Sequence, residues 1–162
     1  MWQDLASELL ARCRFPEGIG RVDLAVSGGA DSLALLVLAR AGGLEARAIH
    51  VDHGLRPGSA DEAEVVAAAA TRFGASFEAV SVTVAPGANL EARARAARYG
   101  ILPFGVLTGH TADDQAETVL LNLMRGAGAS GLSGMSGEAE EAGRSRVGRP
   151  ILRLRRAETA QL

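Results

Sequence analysis

The sequence predicts one α/β domain with a doubly wound, parallel, five-stranded sheet and helices on both faces, a Rossmann-like arrangement. Strand-like apolar segments alternate with helical patterns along the chain, as they do in parallel sheets whose strands are joined by helices. A chain of 162 residues, 48% of them hydrophobic, suffices for one core, since a fold of this size buries about 70% of its unfolded surface. We therefore expect a single domain over residues 1–162.

The first half of the chain carries the patterns of three helices and two strands. Apolar residues at helical spacing from Trp2 to Cys13 predict an amphipathic helix that ends before Pro16. The following elements are predicted as a strand at 22–26, a helix that ends near 42–43, a strand at 46–51 and a helix from Ser59 or Asp61 to about Phe73.

The second half continues the alternation. Thr111 is placed to cap a helix together with Asp114, three residues on, in a capping box. The glycine- and serine-rich stretch 126–137 is expected to be mobile. The elements predicted here are a strand at 77–82, a helix capped by Asn89 that runs through Tyr99, a strand at 106–108, a helix at 112–124 and a strand at 147–152.

The segment SGGADS, which begins at Ser27, lies between the first predicted strand and the next helix. Gly28 and Gly29 present no Cβ to a ligand, so backbone N–H groups can converge on an anion near the positive end of the helix. Ser32 adds a hydroxyl donor. Asp31 would repel a phosphate, so it suits this place if it holds Mg²⁺ against phosphate oxygens. The alternative is an ordinary strand-to-helix turn with an acidic first helical turn.

Composition excludes several classes of chemistry. The net charge of −2 argues against a surface that is basic all over and grips nucleic acid everywhere. All basic residues are arginines, which excludes a Walker-type phosphate lysine, a Schiff base and a lysine general base. The single cysteine, Cys13, excludes an intramolecular disulfide and is expected in the core. The sequence has no secretory or membrane-spanning pattern, so we expect a cytoplasmic protein without a membrane partner.

Three further segments carry candidate functional residues. His50 and His53 lie at the end of the second predicted strand, where side chains three apart point to opposite faces. A metal site there would need a third ligand, so we favour a loop that lines a nucleotide pocket or a hydrogen-bonded core histidine.

One face of the predicted helix at 89–99 carries Glu91, Arg95 and Arg98. Taken alone, they suit a solvated ion pair better than guanidinium groups at a triphosphate.

The segment GHTADDQAE, from Gly109, crowds three carboxylates at a helix start, on Asp113, Asp114 and Glu117. The helix dipole and the cap account for one or two of them. His110 precedes them at a strand end, next to a loop that already suits phosphate. This combination favours a site for Mg²⁺ or for acid–base chemistry.

Six strings, in one order along the chain, resemble the tRNA(Ile)-lysidine synthetase family of PP-loop ATP pyrophosphatases. The resemblance implies an adenine nucleotide alpha hydrolase-like fold. It also implies a ligase that uses ATP and L-lysine to convert the wobble cytidine, position 34, of tRNA(Ile) to lysidine, and a homodimer is kept open. The strings are SGGADS at 27–32, HVDHGLRPGS at 50–59, ARAARY at 94–99, GHTADDQAET at 109–118, RGAGASGL at 125–132 and RPIL at 149–152.

The resemblance also implies roles for individual residues. Asp31 with Asp113 or Asp114 would hold Mg²⁺, and two arginines would neutralise charge as pyrophosphate leaves. His110 would position substrate or move a proton, and Glu117 would attract the lysine ammonium. The implied catalytic residues are Asp31, Arg95, Arg98, His110, Asp113, Asp114 and Glu117. The implied ATP-binding residues are Ser27, Gly28, Gly29, Ala30, Asp31, Ser32, His50, Asp52 and His53.

The chain also departs from the family pattern. The interval from Tyr99 to Gly109 is shorter than in many relatives, and the sequence stops at Leu162, before the C-terminal tRNA-binding domains of the family. We therefore expect ATP binding but poor action on tRNA. A basic group near that end suits either an ordinary solvated basic tail or contacts to an RNA backbone. It comprises Arg144, Arg146, Arg149, Arg153, Arg155 and Arg156.

Two alternatives stay open. One is another PP-loop adenylating enzyme, such as a tRNA thiolase or an amidotransferase-type synthetase. Thiolases of the related cytidine type use paired cysteines, which this sequence lacks. The other is a non-catalytic ATP-binding module.

Overall fold

A computed structural model describes residues 2–52, 59–83, 88–128, 132–135 and 147–162. The described strands form one parallel sheet in the order β3-β2-β1-β4-β5. The strands are β1 (Arg21–Ala25), β2 (Glu45–Asp52), β3 (Ser76–Ser81), β4 (Val106–Thr108) and β5 (Val147–Gly148). The helices are α1 (Trp2–Leu10), α2 (Ala30–Ala41), α3 (Ser59–Phe73), α4 (Leu90–Ile101), α5 (Ala112–Met124) and α6 (Arg156–Thr159). The predicted doubly wound α/β fold is confirmed.

The strand order reverses between β1 and β4, and this reversal positions the site. From β1 the chain moves outward through β2 to β3, then returns across the sheet to β4 on the other side of β1. The two strands are in register at Leu24 with Leu107 and at Ala25 with Thr108. Loops that leave adjacent strands in opposite directions open a crevice at their carboxyl ends. The segments after Ala25 and Thr108 therefore face each other across it.

The larger hydrophobic core lies on the face covered by α1, α2 and α3. Helix α2 is buried at every residue from Ser32 to Ala39 except Leu33, because it packs against α1, α3 and the sheet. Alternate residues of the central strand, Val22 and Leu24, point into this core, as the period of two requires. Burial on all sides explains why α2 has few polar residues after its first turn.

The other face of the sheet carries a smaller core and an ion-pair row. Ile49, Leu102, Val106 and Val147 form the buried cluster beneath the end of α4. Nearer the amino ends of the strands, Arg47 spans three strands on this face. Its Nε lies 2.8 Å from Asp23 Oδ1 and its Nη1 lies 2.9 Å from Glu78 Oε2. The cleft-proximal half of this face is therefore apolar, and the distal half is polar.

Several element predictions are confirmed and two need correction. The helix at 112–124 and its capping box form as predicted, and strands β1 and β3 each begin one residue early. The predicted strand at 147–152 shrinks to Val147–Gly148. Its apolar character has another cause, since Ile151 is 0% exposed within a turn that reaches the core. Asn89 precedes α4 but makes no side-chain cap among the described residues, because its backbone is left-handed (φ 56°).

The predicted mobility of residues 126–137 stays a prediction, and 129–131 and 136–137 lie outside the described residues. Where this stretch is described, it is tied to α5. Gln115 Nε2 donates to the Met135 carbonyl at 3.0 Å, and the Met135 N–H donates to Gln115 Oε1 at 2.7 Å. Among the described residues, no helix is long and apolar enough to cross a membrane.

Cys13 is buried in the core, as predicted, and its thiol should react slowly. Burial raises the pKa of the Cys13 thiol to about 11, and Sγ contacts the Leu9 carbonyl at 3.3 Å. Only the thiolate is nucleophilic, so alkylation by iodoacetamide at neutral pH should be slow in the folded protein and fast in urea. Equal rates in the two states, followed by mass spectrometry, would contradict this expectation.

Candidate functional site

A cleft of about 1070 Å³ lies at the carboxyl ends of β1, β2 and β4. One side is apolar and comes from the second sheet face and α4. The other side is polar and comes from the turn before α2 and the start of α5. The apolar lining comprises Ala25, Ile49, Val51, Leu90, Ala94, Tyr99 and Leu102. The polar lining includes Ser27, Gly29, Asp31, Ser32, His50, Asp52, Glu62, Arg98, Thr108, His110 and Asp114.

The turn between β1 and α2 is shaped by Gly28 and by two serine hydroxyls. Gly28 has φ +89°, a left-handed conformation that glycine adopts without strain. Ser32 Oγ accepts from the Ser27 N–H at 3.2 Å and donates to the Gly29 carbonyl at 2.8 Å. Helix α2 begins at Ala30, and Gly29 before it has no side chain to cap the first amides. These amides remain suited to an anion at the helix N-terminus.

The start of α2 and the end of β4 approach each other at Gly109. A Cβ built there would lie 2.8 Å from the Asp31 carbonyl oxygen and 2.9 Å from Ser32 Cα. Only a residue without a side chain fits at this distance. The glycine thus joins the SGGADS segment to the GHTADDQAE segment.

The three predicted aspartates meet at one arginine, Arg156 of α6. Its Nε lies 3.2 Å from Asp31 Oδ2, and its Nη2 lies 2.8 Å from Asp114 Oδ1. Its backbone N–H donates to Asp113 Oδ2 at 2.8 Å. Thr159 donates its hydroxyl to Asp31 Oδ1. All three aspartates therefore contact Arg156, which was not predicted here, as Thr159 was not. That Asp31 holds Mg²⁺ with Asp113 or Asp114 stays a prediction.

Asp114 closes the capping box of α5. Its Oδ2 accepts from both the backbone N–H and the hydroxyl of Thr111, each at 2.8 Å. Partial burial by itself would raise the pKa of Asp114, but the two Thr111 hydrogen bonds and the nearby Arg156 charge outweigh it, so the pKa is lowered. Asp114 is therefore an anion at neutral pH.

The lowered pKa of Asp114 predicts how its contribution to the free energy of unfolding changes with pH. The pKa falls from its ordinary value of 3.8 on folding, so the stabilisation is complete above that pH and is lost as pH falls through the lower folded value. The free energy of urea unfolding of the natural sequence should exceed that of Asp114→Asn at neutral pH. The difference should shrink below about pH 4. A difference that is constant down to about pH 3 would contradict this assignment.

The hydrogen bonds of His110 and His50 fix which ring nitrogen carries the proton. Thr108 Oγ1 donates to the Gly148 carbonyl at 3.2 Å, so it accepts from His110 Nδ1 at 2.8 Å. The Val26 carbonyl can only accept, so His50 Nδ1 donates to it at 3.0 Å. In the neutral rings Nε2 is then the basic nitrogen. His50 is 2% exposed and its Nε2 finds no partner among the described residues, which suits a bound ligand.

The other predicted site residues divide into three groups. Asp52, Arg98 and Ala30, the first residue of α2, line the cleft. Glu117 is exposed on α5 and does not line it. His53 and the side chain of Arg95 lie outside what the structure describes. Their roles therefore stay predictions.

The donor set of Asp31 and Asp114 fits Mg²⁺. Both carboxylates contact one guanidinium, so they lie close enough to share a cation. Mg²⁺ prefers oxygen ligands and is often held by one or two carboxylates, with phosphates and water completing the octahedron. Within the described ranges, three or more His, Cys, Asp or Glu side chains do not converge in a metal-binding group. Phosphate oxygens of a nucleotide and water would complete the coordination of such a pair.

Known proteins match the chain over nearly its full length. tRNA(Ile)-lysidine synthase of Rhodococcus jostii is 49% identical over 148 residues, which cover 88% of this chain and 44% of that protein. The enzyme of that name from Gloeobacter violaceus is 39% identical over 176 residues, with 98% and 54% covered. The chain thus spans about half the length of these curated relatives.

A solved structure shares the fold at low sequence identity. The U34-tRNA thiolase NcsA from Methanococcus maripaludis superposes with a TM-score of 0.74 at 18% identity, over 99% of this chain and 62% of that one.

A family model of the PP-loop domain matches residues 4–162, which include the glycine turn, the acidic start of α5 and Arg156. The chain belongs to the PP-loop domain family.

Proposed function

We propose that the chain catalyses the ATP-dependent ligation of L-lysine to C2 of cytidine 34 in tRNA(Ile), which forms lysidine with release of AMP and pyrophosphate. The observation that carries the proposal is the meeting of the glycine turn, Asp31 and Asp114 at one cleft. The lysidine synthases that match most of this chain point to the same reaction. A cytoplasmic location follows from a tRNA substrate.

The cleft suits ATP in one orientation. Its apolar side, with Ala25, Val51 and Tyr99, offers a surface for the adenine ring. Its polar side places the uncapped start of α2 where the phosphates would lie. Asp31 and Asp114 would hold Mg²⁺, which would balance the charge of the phosphates. Asp113, more exposed and bonded to the Arg156 backbone, would support this pair from outside.

The first step would adenylate the base. The cytosine O2 attacks the α-phosphorus of ATP, a new P–O bond forms, and the bond to the β-phosphate oxygen breaks. The start of α2 would stabilise the negative charge that moves onto pyrophosphate. Arg98, which lines the cleft, would do the same.

The second step would replace AMP with lysine. The ε-amine of lysine attacks C2, the C2–O bond breaks, AMP leaves, and the amine loses a proton. His110 Nε2 is the basic ring nitrogen because Nδ1 is held by Thr108, so His110 is our candidate to accept that proton. The role of Glu117 toward the lysine ammonium remains a proposal and would need its exposed side chain to meet substrate from outside the cleft.

Incubation with ATP, radiolabelled lysine and total tRNA tests the proposal. In line with the poor action on tRNA expected from the sequence, we expect slow pyrophosphate release that depends on tRNA and slow transfer of label to the isoleucine tRNA. A tRNA(Ile) transcript with uridine at position 34 is the matched control and should accept no lysine. Pyrophosphate release without lysine transfer would favour another PP-loop adenylating enzyme. ATP binding without pyrophosphate release would favour a binding module. Light scattering would test the homodimer, which stays a prediction.

A further inference from the structure

Arg156 engages the aspartates at which we place Mg²⁺. Its guanidinium contacts Asp31 at 3.2 Å and Asp114 at 2.8 Å, and its backbone N–H contacts Asp113 at 2.8 Å. The three contacts join α6 to the starts of α2 and α5, across 125, 42 and 43 positions of sequence. Arg156 thus contacts Asp31, Asp113 and Asp114 together.

The remaining carboxylate oxygens of the pair also have donors. Asp31 Oδ1 accepts from Thr159, and Asp114 Oδ2 accepts from Thr111. Of these described donors, only the Arg156 guanidinium is charged. It balances two carboxylates that would otherwise repel each other. The hydrogen bond to Asp31, together with the charges of Asp114 and Asp31, in turn raises the pKa of Arg156. A divalent cation bound to the same oxygens would be repelled by this guanidinium at close range.

We propose that Arg156 is the built-in counter-cation of Asp31 and Asp114 and that it competes with Mg²⁺ for them. The metal that arrives with ATP takes the carboxylate oxygens, and the guanidinium leaves them. This inference rests on the proposed function for the placement of Mg²⁺. The exchange is feasible because the Arg156 side chain is 55% exposed, and ion pairs at such exposure are weak. The backbone bond to Asp113 keeps α6 in place while the side chain moves.

The competition can be measured without nucleotide, lysine or tRNA. Mn²⁺ serves as the probe, and electron paramagnetic resonance gives its dissociation constant. Arg156→Gln should bind Mn²⁺ about fivefold more tightly than the natural sequence, because a repelling charge near 4 Å is removed. Arg153→Gln, which removes the same charge from the same exposed segment, should stay within about twofold. Unchanged or weaker binding by Arg156→Gln would overturn the proposal.

A second measurement uses the unaltered protein and so does not depend on how a variant folds. The Arg156 Nε–H signal in a ¹H–¹⁵N spectrum, identified by its absence in Arg156→Lys, reports the contact with Asp31. It should shift or broaden when Mg²⁺ is added with ATP, and less when ATP is added with EDTA. An identical response in both conditions would overturn the competition. Since the Mn²⁺ experiment needs no ATP, a failure of the proposed ligase activity would leave its result intact.

Discussion

Replacing Gly109 with alanine should separate the end of β4 from the start of α2. The new Cβ would lie 2.8 Å from the Asp31 carbonyl oxygen and 2.9 Å from Ser32 Cα. Both are backbone atoms, so no side-chain rotation can relieve the contact. We expect the free energy of unfolding to fall by about 1–3 kcal/mol. ATP binding should weaken about tenfold or more, because the shift moves Asp31 away from Asp114.

Gly20→Ala is the matched control for this change. A Cβ at Gly20 meets nothing within 4 Å, and Gly20 does not require a positive φ. Urea unfolding and calorimetric titration with ATP should therefore give values close to those of the natural sequence. If Gly109→Ala were as stable as Gly20→Ala and bound ATP equally well, the close approach at Gly109 would not be what aligns the two segments.

Local sequence patterns predicted most of the fold. They also predicted two parts of the candidate site, the glycine turn and the acidic start of α5, each from its own short segment. The capping box of Thr111 with Asp114 was predictable because both partners lie within one helical turn. The glycine turn was predictable because the positive φ at Gly28 follows from a short backbone pattern. That both lie at one cleft followed from the expected ends of parallel strands.

Contacts between distant segments could not be predicted in the same way. Arg156 stands in a run of basic residues, which is equally typical of an RNA-contacting surface. Nothing local distinguishes it from Arg155, and its partner Asp31 lies 125 residues away. The apolar run near Ile151 predicted a strand for a similar reason, since periodicity reports burial and does not say whether a strand or a turn provides it.

Replacing Asp31 with asparagine should produce the largest loss of catalysis, about 100-fold in the rate of pyrophosphate release. Asp31 lines the cleft in the first turn of α2, next to the proposed phosphate position. Asparagine keeps the size of the side chain and can still accept from Thr159, but it removes the charge that would hold Mg²⁺ and that balances Arg156. Pyrophosphate release with saturating ATP, lysine and tRNA measures the effect.

Asp23→Asn distinguishes loss of chemistry from loss of an ion pair. Asp23 lies on β1, pairs with Arg47 at 2.8 Å and does not line the cleft. Its replacement breaks a comparable contact, yet the rate should stay near that of the natural sequence, because partly exposed ion pairs contribute at most about 1 kcal/mol to stability. Thermal unfolding of both variants shows whether each is folded at the assay temperature. If two folded variants released pyrophosphate equally fast, the charge of Asp31 would serve the packing of α6 through Arg156 and Thr159 rather than the reaction.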